Sequence, residues 1–176
     1  MKIDVSDIIS HPGAKKELCL KLAEPLEGLS LEGPVDLQLE IVSGGRGVLS
    51  VQGTVKAKVF LTCSRCASQY CEPIEAEVQE RFYPEGSREL EHEDEVGLDE
   101  LCAFPYTEGE LSLEEIARDN LLASLPYRPL CSQECRGVCP QCGQNLNEKA
   151  CECGSAQEEI DPRWGALKKF SSGSPQ

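Results

Sequence analysis

The sequence predicts an α+β protein: an antiparallel sheet, or a small open barrel, packed by one main helix and followed by a cysteine-rich C-terminal subdomain. Three observations carry this. Apolar and polar side chains alternate through much of residues 15 to 84; one segment between Leu111 and Pro126 has helical spacing and a complete start signal; and six of the eleven cysteines fall between Cys131 and Cys153. A chain of 176 residues with 40% apolar and 5% aromatic content can build one ordinary core and a small subdomain.

The strands come first. "KELCLKLAEPL" alternates Leu18, Leu20 and Leu22, and "VDLQLEIV" alternates Val35, Leu37, Leu39 and Ile41. "VLSVQGTVKAKVFLTC" carries the same period through Val51, Val55, Ala57, Val59 and Leu61, and "YCEPIEAEVQERFYP" through Ile74, Ala76 and Val78 to Phe82. Gly44, Gly45 and Gly47 mark a turn between two of these runs. One apolar and one polar face describe an antiparallel sheet, and strands in sequence describe a meander or small open barrel. Periodicity ends after Pro84. In "LSLEEIARDNLLASLP" Ser112 is the N-cap, Glu115 completes a capping box, and Leu111 and Ile116 form a hydrophobic staple. Leu113, Ala117, Leu121 and Leu125 give the apolar stripe, Leu122 widens it, and Pro126 stops the helix. A second short helix is expected from Asp161 and Pro162, carrying Trp164, Leu167 and Phe170. The expected organisation is 1–84 antiparallel β region, 85–110 acidic flexible connection, 111–127 capped helix, 128–170 cysteine-rich subdomain with its short helix, and 171–176 disordered tail.

The net charge of −14 is unevenly placed: residues 72 to 119 carry seventeen acids and three arginines, whereas the remainder balances. Wrapping of nucleic acid by the whole surface is disfavoured, because phosphate binding needs clustered positive charge. A nucleic-acid contact is then local or made through a partner. The acidic stretch reads either as a solvated loop or as a docking face for a basic protein. "MKIDVSDIIS" has no apolar run suited to a signal peptide, and no window suits a membrane span, so the expected location is cytoplasmic.

In a reducing compartment, close cysteine pairs mark metal ligands more often than disulfides. Cys63 and Cys66 lie where one strand ends and the next begins, and two thiolates so spaced supply half of a tetrahedral site. A redox dithiol has the same spacing but prefers a helix start, which is not the context here. Cys131, Cys135, Cys139, Cys142, Cys151 and Cys153 include the knuckle "CPQCG" and the closing "CEC". Eight paired cysteines divide most simply into a local set (Cys139, Cys142, Cys151 and Cys153) and a bridging set (Cys63, Cys66, Cys131 and Cys135). Spacing alone leaves other partitions of Cys135 to Cys142 open. All-thiolate donors imply two structural Zn²⁺ sites, with iron–sulfur the lesser alternative. Cys19 and Cys71 fall in strands as small hydrophobes, and Cys102 has no evident role.

Catalysis is not indicated. Closed four-cysteine sites leave no position for water, and the two histidines, His11 and His92, stand in no acid–base context. Arg65, Arg128, Arg136 and Arg163 are the cations near the cysteines and together would form a phosphate-binding patch. Asn145 and Asn147 either meet exposed bases or close a turn through backbone amides.

The stretches "LTCSRC", "DNLLASLPYRPLC", "CRGVCPQCGQNLN", "CEC" and "DPRWGALKKF" resemble the YceD family, named for large ribosomal RNA subunit accumulation, from roughly Gly53 to Phe170. The resemblance covers Cys63, Arg65, Cys66, Leu125, Pro126, Pro129, Cys135, Gly137, Cys139, Pro140, Cys142 and Gly143. It continues through Asn145, Leu146, Asn147, Cys151, Cys153, Asp161, Pro162 and Arg163. It implies a non-enzymatic factor for synthesis, processing or stability of 23S ribosomal RNA and large-subunit assembly. The implied partners are 23S rRNA, the pre-ribosomal large subunit or a basic ribosomal protein, with no membrane and no small-molecule substrate. Some members keep the early CxxC without the later knuckle, which makes the late site separable. The alternative function is a protein–protein adaptor with purely structural zinc, whose acidic face captures a basic ribosomal protein.

Overall fold

A computed structural model describes residues 1–86 and 103–153. The expected helix at Asp161, with Arg163, the tail, and the part of the acidic connection that holds His92 and Cys102 lie outside these residues.

The elements in order are β1 (Lys2–Asp4), α1 (Ser6–Ile9), β2 (Lys15–Leu22), β3 (Val35–Gly45), β4 (Val48–Thr62), β5 (Gln69–Pro84), β6 (Ala103–Tyr106), β7 (Glu110–Ser112) and α2 (Leu113–Ala123). Strands β2 to β6 form one five-stranded sheet in the order β2-β3-β4-β5-β6, and β1 pairs with β7 in a separate two-stranded sheet. The meander β2 to β5 is antiparallel throughout. Its register aligns the alternating residues: Leu20 opposes Leu37, Leu37 opposes Val55, and Val55 opposes Ala76. Leu37, Ile41, Val51 and Val55 are almost wholly buried on that face.

In β4, Gly53 is the point of closest approach to β3. Its φ is 151°, and a Cβ there would stand 2.0 Å from the Gln38 carbonyl oxygen of β3. The strands approach there more closely than any side chain permits, so only glycine fits. The outer face is a lattice of cross-strand ion pairs, including Lys21–Asp36 at 2.8 Å and Lys56–Glu75 at 2.9 Å. Each such exposed pair is worth about 1 kcal/mol or less, so burial of the inner face holds the sheet.

Helix α2 caps that inner face. Ser112 Oγ accepts from Glu115 N at 3.4 Å, and Leu113, Ile116, Ala117 and Leu121 are buried. Truncating Leu121 would remove about 2–5 kcal/mol. Leu122, expected to widen the stripe, is instead 40% exposed, because it falls on the shoulder of the helix beyond the sheet's reach.

Two further expectations are corrected. The connection expected over 85–110 ends in structure: β6 runs parallel to β5, with Phe82 and Phe104 ring centroids 5.8 Å apart. The Tyr106 hydroxyl donates to Gly47 O at 2.6 Å, locking β6 to the β3–β4 turn. The sheet is therefore not purely antiparallel; Pro105 is tolerated because β6 lies at the edge. Within 1–84 the short helix α1 accompanies the strands, and β1 pairs with β7 at the start of α2.

Candidate metal centres

Cys63, Ser64, Arg65 and Cys66 turn the chain from β4 into β5. Ala67 closes the turn with φ 57°, donating its N–H to Cys63 O at 2.9 Å, while Cys63 N donates to Ser68 O at 2.9 Å. The same turn recurs after the helix. Gly143, φ 74°, donates to Cys139 O at 2.9 Å, and Cys139 N donates to Gln144 O at 2.8 Å. In each turn the backbone amides converge on the first sulfur. The Cys63 thiol is lowered to about 6, chiefly by the Cys131 N–H with help from those of Cys66 and Arg65. The Cys142 and Gln141 N–H groups lower Cys139 to about 6.

The thiols meet in two groups. Sγ atoms of Cys63, Cys66, Cys131 and Cys135 lie within 4.8 Å of one another, as do those of Cys139, Cys142, Cys151 and Cys153. Cys63 and Cys135 sulfurs are 3.7 Å apart, and those of Cys66 and Cys131 3.6 Å. A tetrahedral ion with metal–sulfur bonds of about 2.3 Å sets sulfur atoms about 3.8 Å apart, whereas a disulfide needs about 2.05 Å. The first group therefore fits a cation and not a bond. As thiols, its members compete: Cys66 and burial push Cys131 up to about 12. Cys142 and burial do the same to Cys153 in the second group. A divalent cation removes that conflict by neutralising the crowded charge.

Polar side chains brace both groups. Arg65 Nη1 donates to the carbonyls of Gln133 and Cys135 at 3.3 and 3.1 Å. Asn147 Nδ2 donates to Cys135 Sγ at 3.2 Å, and Asn147 Oδ1 accepts from Arg136 N at 2.8 Å. Asn145 Nδ2 donates to Ser68 Oγ at 3.1 Å, and Asn145 Oδ1 accepts from Asn147 N at 3.0 Å. The two asparagines thus close turns and orient a sulfur, the support that metal ligands need. The Arg128 and Arg136 side chains are exposed. Cys19 and Cys71, expected as small strand hydrophobes, stand outside the core: Cys19 is exposed, and Cys71 lies 3.5 Å from Glu32 Oε2. The alternation that half-buries Leu18 and Leu20 turns Cys19 outward. Sequence reasoning misses Ala67 and Ser68, although the parallel of "CSRCAS" with "CPQCGQ" carries the signal.

A family model described as large ribosomal RNA subunit accumulation protein YceD matches residues 51–171. An uncharacterized Mycobacterium tuberculosis (strain H37Rv) protein is 37% identical over 177 residues, covering 95% of this chain and 79% of its own length. The Arabidopsis thaliana large ribosomal RNA subunit accumulation protein YCED homolog 1, chloroplastic, is 25% identical over 155 residues, 76% of this chain and 47% of that protein. Its Zea mays namesake is 28% identical over 153 residues, 72% of this chain and 52% of that protein. No solved structure matches the chain.

Proposed function

The chain belongs to the YceD family of large ribosomal RNA subunit accumulation proteins, and on that premise we propose that it acts by binding 23S rRNA or the pre-ribosomal large subunit in the cytoplasm. It is a non-enzymatic factor in large-subunit biogenesis. The observation that carries the mechanism is that each thiol group offers four sulfurs, a closed set with no open position for water or substrate. The two groups suit structural Zn²⁺, with Cys63, Cys66, Cys131 and Cys135 holding one ion and Cys139, Cys142, Cys151 and Cys153 the other. When bound, the metal cross-links segments that have little apolar core of their own. In this reading a small open barrel, capped by α2, carries the 128–170 subdomain as a braced attachment.

Two measurements test the proposal. Elemental analysis of freshly purified chain should find about two zinc ions, one for each four-thiol set. Expression in a host lacking its own family member should restore the ratio of 23S to 16S rRNA. An unchanged ratio overturns the function, and iron in place of zinc overturns the cofactor.

A second reading, the adaptor, is favoured by one feature. A cavity of about 340 Å³ between β5, β6 and the start of α2 is walled by Phe82 and Phe104 and edged by Glu80, Glu115 and Asp119, with Glu110 paired to Lys2 at 3.1 Å. It suits a cationic side chain of a basic ribosomal protein. Loss of that protein from Glu115→Gln/Asp119→Asn chain, with RNA binding intact, would select it.

A further inference from the structure

Tyr127 is 96% exposed. It lies in the segment between α2 and the first thiol group, flanked by Pro126 and Arg128. That segment has little freedom to fold the ring back. Pro126 and Pro129 fix their own φ angles, and Ser64 N donates to Pro129 O at 2.8 Å, tying the segment to the Cys63–Cys66 turn. A large aromatic face is thus held in water by a braced backbone, available to another flat group.

The cations separate along the same line. On the sheet, Lys15, Lys21, Lys56 and Lys58 each meet a carboxylate, at 2.7, 2.8, 2.9 and 3.1 Å. Beyond α2, the Arg128 and Arg136 guanidinium groups meet none among the described residues. Arg128 and Arg65 line one cleft of about 510 Å³ with Pro126 and Leu130. The cleft's one carboxylate, Glu72, accepts the Tyr70 hydroxyl at 3.0 Å. Arg65 is anchored through Nη1 on two carbonyls, so its remaining donors stand in a fixed place.

We propose that single-stranded RNA binds here, with phosphates across Arg65 and Arg128 in the cleft and a base stacked just outside it on Tyr127, the residue between the cleft's Pro126 and Arg128. The inference rests on the family reading for the class of ligand and deepens it to a surface. The anchored Arg65 guanidinium and the exposed Arg128 guanidinium suit phosphate oxygens. The exposed ring suits a base that is not already stacked in a duplex, which selects single-stranded over helical RNA. A basic protein would instead meet the unpaired Arg128 charge. The contact is confined to one patch, as an acidic chain requires.

The test is anisotropy of end-labelled oligouridine titrated with the full chain at low and moderate salt. Tyr127→Ala should weaken binding about tenfold, and Tyr127→Trp should retain it. Arg128→Gln should weaken binding and lower the salt slope by about one. All are exposed positions, so folding is preserved. Arg81→Ala, which removes an exposed sheet cation with no carboxylate partner among the described residues, should change nothing. Unchanged affinity in Tyr127→Ala, or equal loss in Arg81→Ala, overturns the cleft. So does wild-type chain that captures a basic ribosomal protein through Tyr127 but binds no RNA. Complementation separates this from the family function. If wild-type chain restores 23S rRNA while no oligouridine binds, the cleft is lost and the function stands. If oligouridine binds through Tyr127 but 23S rRNA is not restored, the cleft stands and the function is lost.

Discussion

Ala67 and Gly143 occupy equivalent positions in two separate cysteine turns, both with positive φ, 57° and 74°. Each donates its N–H to the carbonyl of the first cysteine, Cys63 or Cys139, at 2.9 Å. Glycine takes this conformation freely, whereas alanine is strained by about 1–2 kcal/mol.

The first prediction rests on that difference. Ala67→Gly relieves the strain but loosens the unfolded chain, a loss of about 0.4–1 kcal/mol, so it should stabilise the protein by about 0.5 kcal/mol. Gly143→Ala should destabilise the second turn by about 1 kcal/mol. Chemical denaturation of the zinc-loaded variants measures both. Destabilisation by Ala67→Gly would mean that its methyl group contributes packing that outweighs the strain.

The second prediction concerns Asn147, which reaches out of the second cysteine segment to a sulfur of the first group. Its amide donates to Cys135 Sγ at 3.2 Å and so holds that sulfur in one orientation toward the other three. Asn147→Ala should speed zinc transfer to a chromogenic chelator from one of the two sites, with an affinity loss of about 10–100-fold. The other site should keep its rate. Equal acceleration at both sites would make Asn147 a general stabiliser of the segment rather than a support for Cys135.

Much of this architecture is legible in the sequence because its signals are long. The alternation in Val35 to Ile41 persists for more than one turn of any competing period, and the cap at Ser112 is a local hydrogen bond encoded by neighbours. β6 is not legible: Ala103–Tyr106 is four residues, contains Pro105, and owes its place to Phe82 and to Gly47, both distant in sequence. β1 escapes for the same reason, since three residues show no period and the partner is Leu111. At the cysteines, spacing suggests the pairs. The contact of Asn147 with Cys135 depends on where two loops meet, which spacing does not encode. Tyr127 is legible only as an aromatic between prolines; its exposure requires the fold.

The third prediction concerns pH. Glu80 lies on the inner face of β5 opposite Val51, beneath α2, where Asn120 Nδ2 donates to its carboxylate at 2.7 Å. Burial raises its pKa above the ordinary 4.5, only partly offset by the Asn120 bond. A carboxyl whose folded pKa is raised adds stability fully below its unfolded pKa, and that stability is lost as pH rises through the folded value. Glu80→Gln keeps an acceptor for Asn120 and cannot ionise. It should therefore be more stable than wild type at neutral pH, with the advantage shrinking as pH falls toward 4.5 and below. Paired denaturation curves at each pH isolate the effect, because the cysteine sites titrate alike in both chains. A constant difference across the range would assign the gain to packing instead of charge.

The last prediction separates the two thiol groups by their reach. Cys63 and Cys135 stand 72 positions apart, and Cys66 and Cys131 65, so an ion there closes a long loop and holds the β4–β5 turn against the segment after α2. The second group lies within 139–153. Replacing Cys151 and Cys153 with serine should therefore raise hydrogen exchange across 139–153 and leave the β4–β5 hairpin protected. Replacing Cys63 and Cys66 should expose more. The turn loses its cross-link, Cys131 and Cys135 remain crowded without a cation between them, and the bonds from Arg65 to Gln133 and Cys135 lose the geometry that makes them. Faster exchange should then appear in the ends of β4 and β5 as well as in 128–137, while β2 and β3 hold. Exchange mapped on both double variants, each compared with zinc-loaded wild type, reads this directly. Strictly local and equal losses in the two would mean that the sulfur contacts from Cys63 to Cys135 and from Cys66 to Cys131 carry no cross-link, and that the C-terminal segment is held by Arg65 and the asparagines alone.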